Sequence, residues 1–256
     1  MQKKPFFIIG CVRSGTTLLR NVLRNHPNLA SPEETHFFRW SDPFGTITSL
    51  TMMTAANKNS VLKKHREIDG VTEQQFNDIL QKSVSRADLQ KRYMRCYLAN
   101  NNMEGRRWFD KTPQNVYGAA IIATEFPGSK FVHIVRNPMD VVSSLRIGKV
   151  VKIENLIGAC NFWNEAAASI YTLKRAYPGR VYEVKYESFT SNFLPEIEKL
   201  LTFLDEEFNA DDFTSITTQP KEHPHDNLFT EKERQTIEKL CGRWGKHYGY
   251  FGKDEN

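Results

Sequence analysis

The chain has 256 residues, 39 % of them hydrophobic, and 35 basic against 30 acidic side chains give a net charge of +5. No apolar run approaches the roughly 18–20 residues that span a bilayer, and so mild a charge does not demand nucleic acid. Cys11, Cys96, Cys160 and Cys241 show neither a C-x-x-C pair nor zinc spacing, so reduced thiols in a cytoplasmic protein are expected. The start, MQKKPFFIIGC, lacks a small-residue cleavage site and is not expected to act as a signal peptide.

Residues 6–9 (FFII) are too few and too β-rich for a helix, so they predict a strand buried on both faces. Gly10-Cys11-Val12-Arg13-Ser14-Gly15-Thr16-Thr17 then reads as a tight glycine loop opening a helix over 15–25, with Leu18, Leu19, Val22 and Leu23 as its inner stripe. Backbone amides at such a helix start hold an anion. The spacing is that of a Walker-type phosphate loop, but Thr16 stands where the lysine belongs and Arg13 sits inside the loop. That exchange suits one nucleotide phosphate carrying a further, less highly charged group.

His26-Pro27-Asn28 stops the helix, and a short strand at 29–31 leads into Pro32-Glu33-Glu34-Thr35. From 37 to about 106 strand signals are weak: 40–45 reads as loop, 49–56 as weakly helical, 72–85 and 88–103 as helices. Lys58, Lys63, Lys64, His65 and Arg66 read as a solvated helix face rather than a grip on an acidic partner. A strand at 107–109 ends at Asp110-Lys111-Thr112-Pro113, where Thr112 is expected to cap and Pro113 to open a helix to 126. The strand at 130–135 is followed by Arg136-Asn137-Pro138 and helices over 139–146 and 156–177. A last strand at 181–184 precedes helices over 194–204 and 230–246.

This alternation predicts a three-layer α/β domain over 1–256, with a central parallel sheet of about five strands flanked by helices and a helical insertion at about 37–106. Sites in such sheets lie at the carboxyl ends of strands, where 10–17, Glu33, Glu34, Lys111 and Arg136 all fall.

FFIIGCVRSGTTLLRNVLRNHPN resembles the 5′-phosphosulfate loop of sulfotransferases that use 3′-phosphoadenosine 5′-phosphosulfate (PAPS). FVHIVRNPMDVVSSL resembles their 3′-phosphate motif, an arginine ending a strand and a serine eight residues later, here Arg136 and Ser144. Ser143 is the neighbouring alternative. The EET, DKTP and VKYES segments follow the same family order, closest to tyrosylprotein and bacterial sulfotransferases on a P-loop-like fold.

The resemblance implies that Arg13, Ser14, Gly15, Thr16 and Thr17 hold the 5′-phosphate, Arg136 and Ser144 the 3′-phosphate, and Tyr186 the adenosine end. It implies Glu34 as general base, with Glu33 and His36 as rivals, and Arg13 and Lys111 as cations on the transferring group. A like charge on adjacent Glu33 is expected to raise the Glu34 carboxyl toward the working pH. His133, inside a hydrophobic strand, reads as a core histidine rather than a catalyst. No metal is expected, and the histidines of Lys221-Glu222-His223-Pro224-His225 read as loop residues. Arg243 and Lys246 are open candidates for further cations. The product would be 3′,5′-ADP. Expected partners are a hydroxyl acceptor (protein tyrosine, carbohydrate or small molecule) and no nucleic acid. A P-loop phosphotransferase and a non-catalytic nucleotide-binding module are the competing readings.

Overall fold

The computed structural model describes residues 3–40, 42–45, 60–148, 151–218 and 228–252. The expected helix at 49–56, Lys58 and the 221–225 histidines lie outside these residues. Among the described residues there are five strands: β1 (Phe6–Ile8), β2 (Leu29–Ala30), β3 (Arg107–Lys111), β4 (Lys130–Val135) and β5 (Val181–Lys185). They form one sheet in the order β2-β3-β1-β4-β5, with β1 parallel to β3 and β4, and β2 parallel to β3. The flanking helices are α1 (Thr16–Leu23), α2 (Ser60–Ile68), α3 (Glu73–Lys82), α4 (Arg86–Asn100), α5 (Ala119–Glu125), α6 (Pro138–Arg146), α7 (Leu156–Ala176), α8 (Tyr186–Ser191), α9 (Phe193–Phe203) and α10 (Glu231–His247).

The chain divides into two compact units. The first comprises Met1–Ile9, Thr17–Val132 and Asn209–Ile216; the second comprises Gly10–Thr16, His133–Phe208 and Thr217–Asn256. In the first, every residue of β1 is buried, and Phe6 stacks on its register partner Phe109 with ring centroids 4.6 Å apart. A strand apolar on both faces has no solvent side, which explains the unbroken FFII run. Helices α3 and α4 are started by Thr72 and Ser85, whose side chains accept from the backbone N–H groups of Gln75 and Asp88. In the second unit, Ala159, Trp163, Ala166 and Ile170 of α7 are buried, as are Ile237, Cys241 and Trp244 of α10.

Three expectations differ in detail. The helix anticipated from Pro113 begins as a 3-10 turn, Pro113–Gly118, and Thr112 makes no side-chain cap. Its hydroxyl instead accepts the Thr35 N–H at 3.0 Å, and the tight turn lets Gly118 approach the Phe38 carbonyl, where a Cβ would lie 2.2 Å away. Leu18 is half-buried rather than fully inside. Arg66 leaves the solvated face of α2: it is buried, with its guanidinium 4.4 Å from the Phe76 ring centre.

Candidate active site

Within the second unit, the glycine loop runs through backbone conformations that L-residues rarely adopt. Gly10 has φ +142°, Arg13 +70° and Gly15 +97°. A Cβ on Gly15 would lie 2.5 Å from Cδ2 of Tyr186, so both φ and space require glycine there. The Ser14 hydroxyl is buried and has no hydrogen-bond partner, an arrangement that suits an incoming acceptor.

The Arg13 Nε donates to Ser144 Oγ at 2.8 Å, joining the loop to α6. Arg136, at the end of β4, lies with its guanidinium 4.3 Å from the Tyr186 ring centre, and its Nη1 donates to the Arg13 carbonyl at 3.4 Å. One tyrosine thus packs against both the loop glycine and the arginine. Ser143 is buried, whereas Ser144 is half-buried and bonded to Arg13. His133 is buried with its ring against Gly10 and its Nδ1 3.5 Å from Glu183 Oε1.

Within the first unit, the EET and DKTP segments interlock. Asp110 is completely buried; its Oδ1 accepts from Thr35 Oγ1 at 2.9 Å and its Oδ2 from Asn115 Nδ2 at 2.8 Å. The next residue, Lys111, is the last of β3 and only 2 % exposed. Its Nζ donates to Glu34 Oε1 at 2.5 Å and to Thr17 Oγ1 at 3.3 Å. The other Glu34 oxygen, Oε2, lies 3.3 Å from His36 Nε2. Burial pushes the Glu34 carboxyl up, but the His36 contact and the Lys111 charge outweigh it and hold the group down to about 2.

The expectation that Glu33 raises its neighbour is overturned. Glu33 is tied to Arg20 at 2.6 Å and Arg24 at 3.3 Å, and these arginines hold it below the ordinary range against the opposing effect of burial. Arg20 is on α1 and Arg24 follows its last residue, its N–H donating to the Arg20 carbonyl at 3.0 Å, so the two lie one helical turn apart on one face; the sequence reading passed over them. It also missed Asp69, which is buried, accepts the Glu33 N–H at 2.8 Å and accepts the Tyr93 hydroxyl at 2.6 Å. Only the DKTP block carried a signal for Asp110.

A model of the sulfotransferase family matches residues 5–210. The chain belongs to that family. Among curated relatives, Danio rerio protein-tyrosine sulfotransferase 1 is 25 % identical over 207 residues, covering 79 % of this chain and 53 % of that protein. The matched segment is 25–66 % of the length of the curated relatives. Among solved structures, the sulfotransferase domain of the Synechococcus PCC 7002 olefin synthase aligns with a TM-score of 0.62 at 21 % identity, covering 93 % of this chain and 88 % of that one. Mouse sulfotransferase SULT7A1, complexed with PAP, aligns at 0.53 and 15 % identity, covering 98 % and 90 %. Both structural likenesses speak for the fold.

Two predictions arise from this geometry. Gly15→Ala combines a disfavoured φ with a clash on Tyr186, and is expected to cost about 2 kcal/mol of stability. Chemical denaturation reads that loss, and an unchanged midpoint would contradict the close approach. The second concerns pH. Burial raises both Asp69 and Asp110 to about 6 from an ordinary 3.8, against the hydrogen bonds they accept. The folded chain therefore holds protons there that the unfolded chain has released. Stability is expected to rise as pH falls from 6 toward 4.5, before loss of the ionised Glu33 and Glu34 pairs reverses it. Melting temperatures across that range check the slope, and Asp69→Asn should shrink it.

Proposed function

We propose that this chain transfers a sulfuryl group from PAPS to a hydroxyl acceptor. The observation that carries the reading is the Tyr186 ring, packed against both Gly15 of the phosphate loop and the Arg136 guanidinium. Two anion-binding elements gathered on one aromatic suit a nucleotide with phosphates at both 5′ and 3′ positions. The residues fit such a ligand: Gly15 leaves no room for a side chain, the Ser14 hydroxyl awaits a partner, and Thr16 and Thr17 open the helix.

Bound there, PAPS supplies a sulfuryl group activated by its phosphate linkage. Arg13 and Lys111 are assigned to the charge on the transferring group, Arg136 and Ser144 to the 3′-phosphate, and Tyr186 to the adenosine end. Sulfuryl transfer asks the protein for positioning, charge stabilisation and a base, as phosphoryl transfer does.

Glu34 is assigned as the base that takes the acceptor's proton. A carboxylate held at about 2 is a weak base, and the Lys111 ion pair is one of the causes. Lys111 is already shared between Glu34 and Thr17. An anion held at the helix start would draw this cation toward itself, and loss of the lysine charge would raise Glu34 toward the ordinary range. Glu33 is a poorer base because two arginines occupy it.

The insertion at 37–106 is assigned to the acceptor. Supporting this, Leu62, His65, Phe76 and Tyr93 from this region line a small cavity of about 10 Å³ together with Glu34. A phenolic hydroxyl, as in protein tyrosine, is the preferred acceptor, on the EET segment and the likeness to protein-tyrosine sulfotransferases. A bacterial, cytoplasmic setting completes the reading, supported by four free cysteines and a relative in Aquifex aeolicus. No helix among the described residues is long and apolar enough to cross a membrane.

Titration calorimetry with 3′,5′-ADP in excess chelator tests the donor. Binding at least about tenfold tighter than 5′-AMP is expected, a difference of about 1.4 kcal/mol. Magnesium-dependent ATP binding, with no response to 3′,5′-ADP, would overturn the assignment in favour of a phosphotransferase. A screen of hydroxyl acceptors with labelled PAPS then separates an enzyme from a binding module.

A further inference from the structure

We infer that the segment following α10 is a strap that fixes Arg136, and that Tyr250 and Glu187 are positioning residues for recognition of the 3′-phosphate. The inference rests on the donor reading above, and all the residues it uses lie within the second unit. Tyr250 falls beyond residues 5–210, the part matched by the family model.

The strap follows from the way α10 ends. Gly249 has φ +72°, its N–H donates to the Lys246 carbonyl at 3.0 Å, and the Tyr250 N–H donates to the Gly245 carbonyl at 2.8 Å. This is the Schellman pattern, in which a left-handed glycine reverses the chain over the last helical turn. Gly245 is the floor on which the reversed segment rests. A Cβ there would lie 2.2 Å from Cδ2 of Phe251, so the Phe251 ring packs directly on bare backbone. Two glycines four residues apart therefore direct Tyr250 back toward the sheet.

The Tyr250 hydroxyl reaches two groups, Glu187 Oε2 at 2.8 Å and the Val135 carbonyl at 3.2 Å. Val135 is the last residue of β4 and immediately precedes Arg136. The other Glu187 oxygen, Oε1, accepts the Asn137 N–H at 2.9 Å. On the opposite side of the same peptide, Trp163 Nε1 donates to the Arg136 carbonyl at 3.0 Å. The Arg136–Asn137 peptide is thus gripped at both its N–H and its C=O. The guanidinium lies over Tyr186, and its Nε is 3.4 Å from Asp140 Oδ2.

A phosphate-binding arginine works as a pre-organised fork, so small rotations of its backbone misdirect its donors. The strap controls that rotation without facing the ligand. VKYES thereby has two duties: Tyr186 supports the guanidinium, and Glu187 holds the peptide that carries it.

The test is calorimetry on the full chain with 3′,5′-ADP and 5′-AMP, for wild type, Tyr250→Phe and Glu187→Gln. Tyr250→Phe keeps the ring and removes only the hydroxyl. It is expected to weaken 3′,5′-ADP about five- to tenfold while 5′-AMP changes less than about twofold, the scale of one ordinary hydrogen bond acting at one remove from the ligand. Glu187→Gln, which neutralises the clamp at constant shape, should give the same selective loss. Equal weakening of both nucleotides, or no change in either, overturns the strap. A wild-type chain that binds both nucleotides equally overturns the assignment of Arg136 itself, and the strap with it. A wild-type preference that survives both substitutions overturns the strap alone.

Discussion

Glu34→Gln is expected to lower kcat for sulfuryl transfer about 10³-fold, while affinity for 3′,5′-ADP stays within about twofold. Glutamine keeps the size and can still accept from Lys111, but it cannot take a proton at neutral pH. The contrast with its neighbours makes the assignment specific. Glu33 holds Arg20 and Arg24, so Glu33→Gln should reduce stability and raise KM more than it lowers kcat. His36 is buried at φ +59° with Nε2 3.3 Å from Glu34, so His36→Asn should act through Glu34. Its removal eliminates one cause of the lowered carboxyl, so Glu34 should rise and the acid limb of kcat/KM should move to higher pH. If Glu34→Gln kept full kcat while His36→Asn abolished it, the base would be the histidine.

Much of this arrangement was legible in the sequence because it depends on local chemistry. A run such as FFII has no polar side to present to water, and glycines stand at 10 and 15, two loop positions whose φ L side chains rarely adopt and where a Cβ would clash. The strand at 130–135 was bounded correctly because Pro127-Gly128 precedes it and Asn137-Pro138 follows. Failure came wherever a side chain answers to a partner distant in sequence. Thr112 has the composition of a helix cap, yet it serves the amide of Thr35, 77 positions earlier. Glu33 looked like a like charge that would raise Glu34, and only the fold brings Arg20 and Arg24 to neutralise it. Arg66 belonged by composition to a basic surface, but its planar cation finds the Phe76 face. Asp69 and Asp110 carried no periodic signal at all, because a buried organising carboxylate is defined by what donates to it.

The largest effect is expected from Lys111→Met. Lys111 is 2 % exposed, and its ammonium is held by Glu34 at 2.5 Å and by Thr17 at 3.3 Å. Methionine replaces the buried stem at similar volume and removes only the charge. Loss of the cation proposed to act on the transferring group should lower kcat by about 10³-fold or more. The same substitution should also change the resting state of Glu34. Burial still pushes that carboxyl up and the opposing lysine charge is gone, so the group should rise from about 2 toward its ordinary 4.5, with only the His36 contact still holding it down. The acid limb of the residual kcat/KM should then enter the measurable range, which a purely steric defect would not produce. Stability supplies an independent reading. Glu34→Gln leaves a buried ammonium without its carboxylate, whereas Lys111→Met leaves a carboxyl that can neutralise itself by protonation. The double variant Glu34→Gln/Lys111→Met should therefore be more stable than the sum of the single changes predicts, by about 1–3 kcal/mol in a double-mutant cycle. Strict additivity, with an acid limb that does not move, would mean that Lys111 and Glu34 act separately and that the pair is not the unit poised for proton transfer.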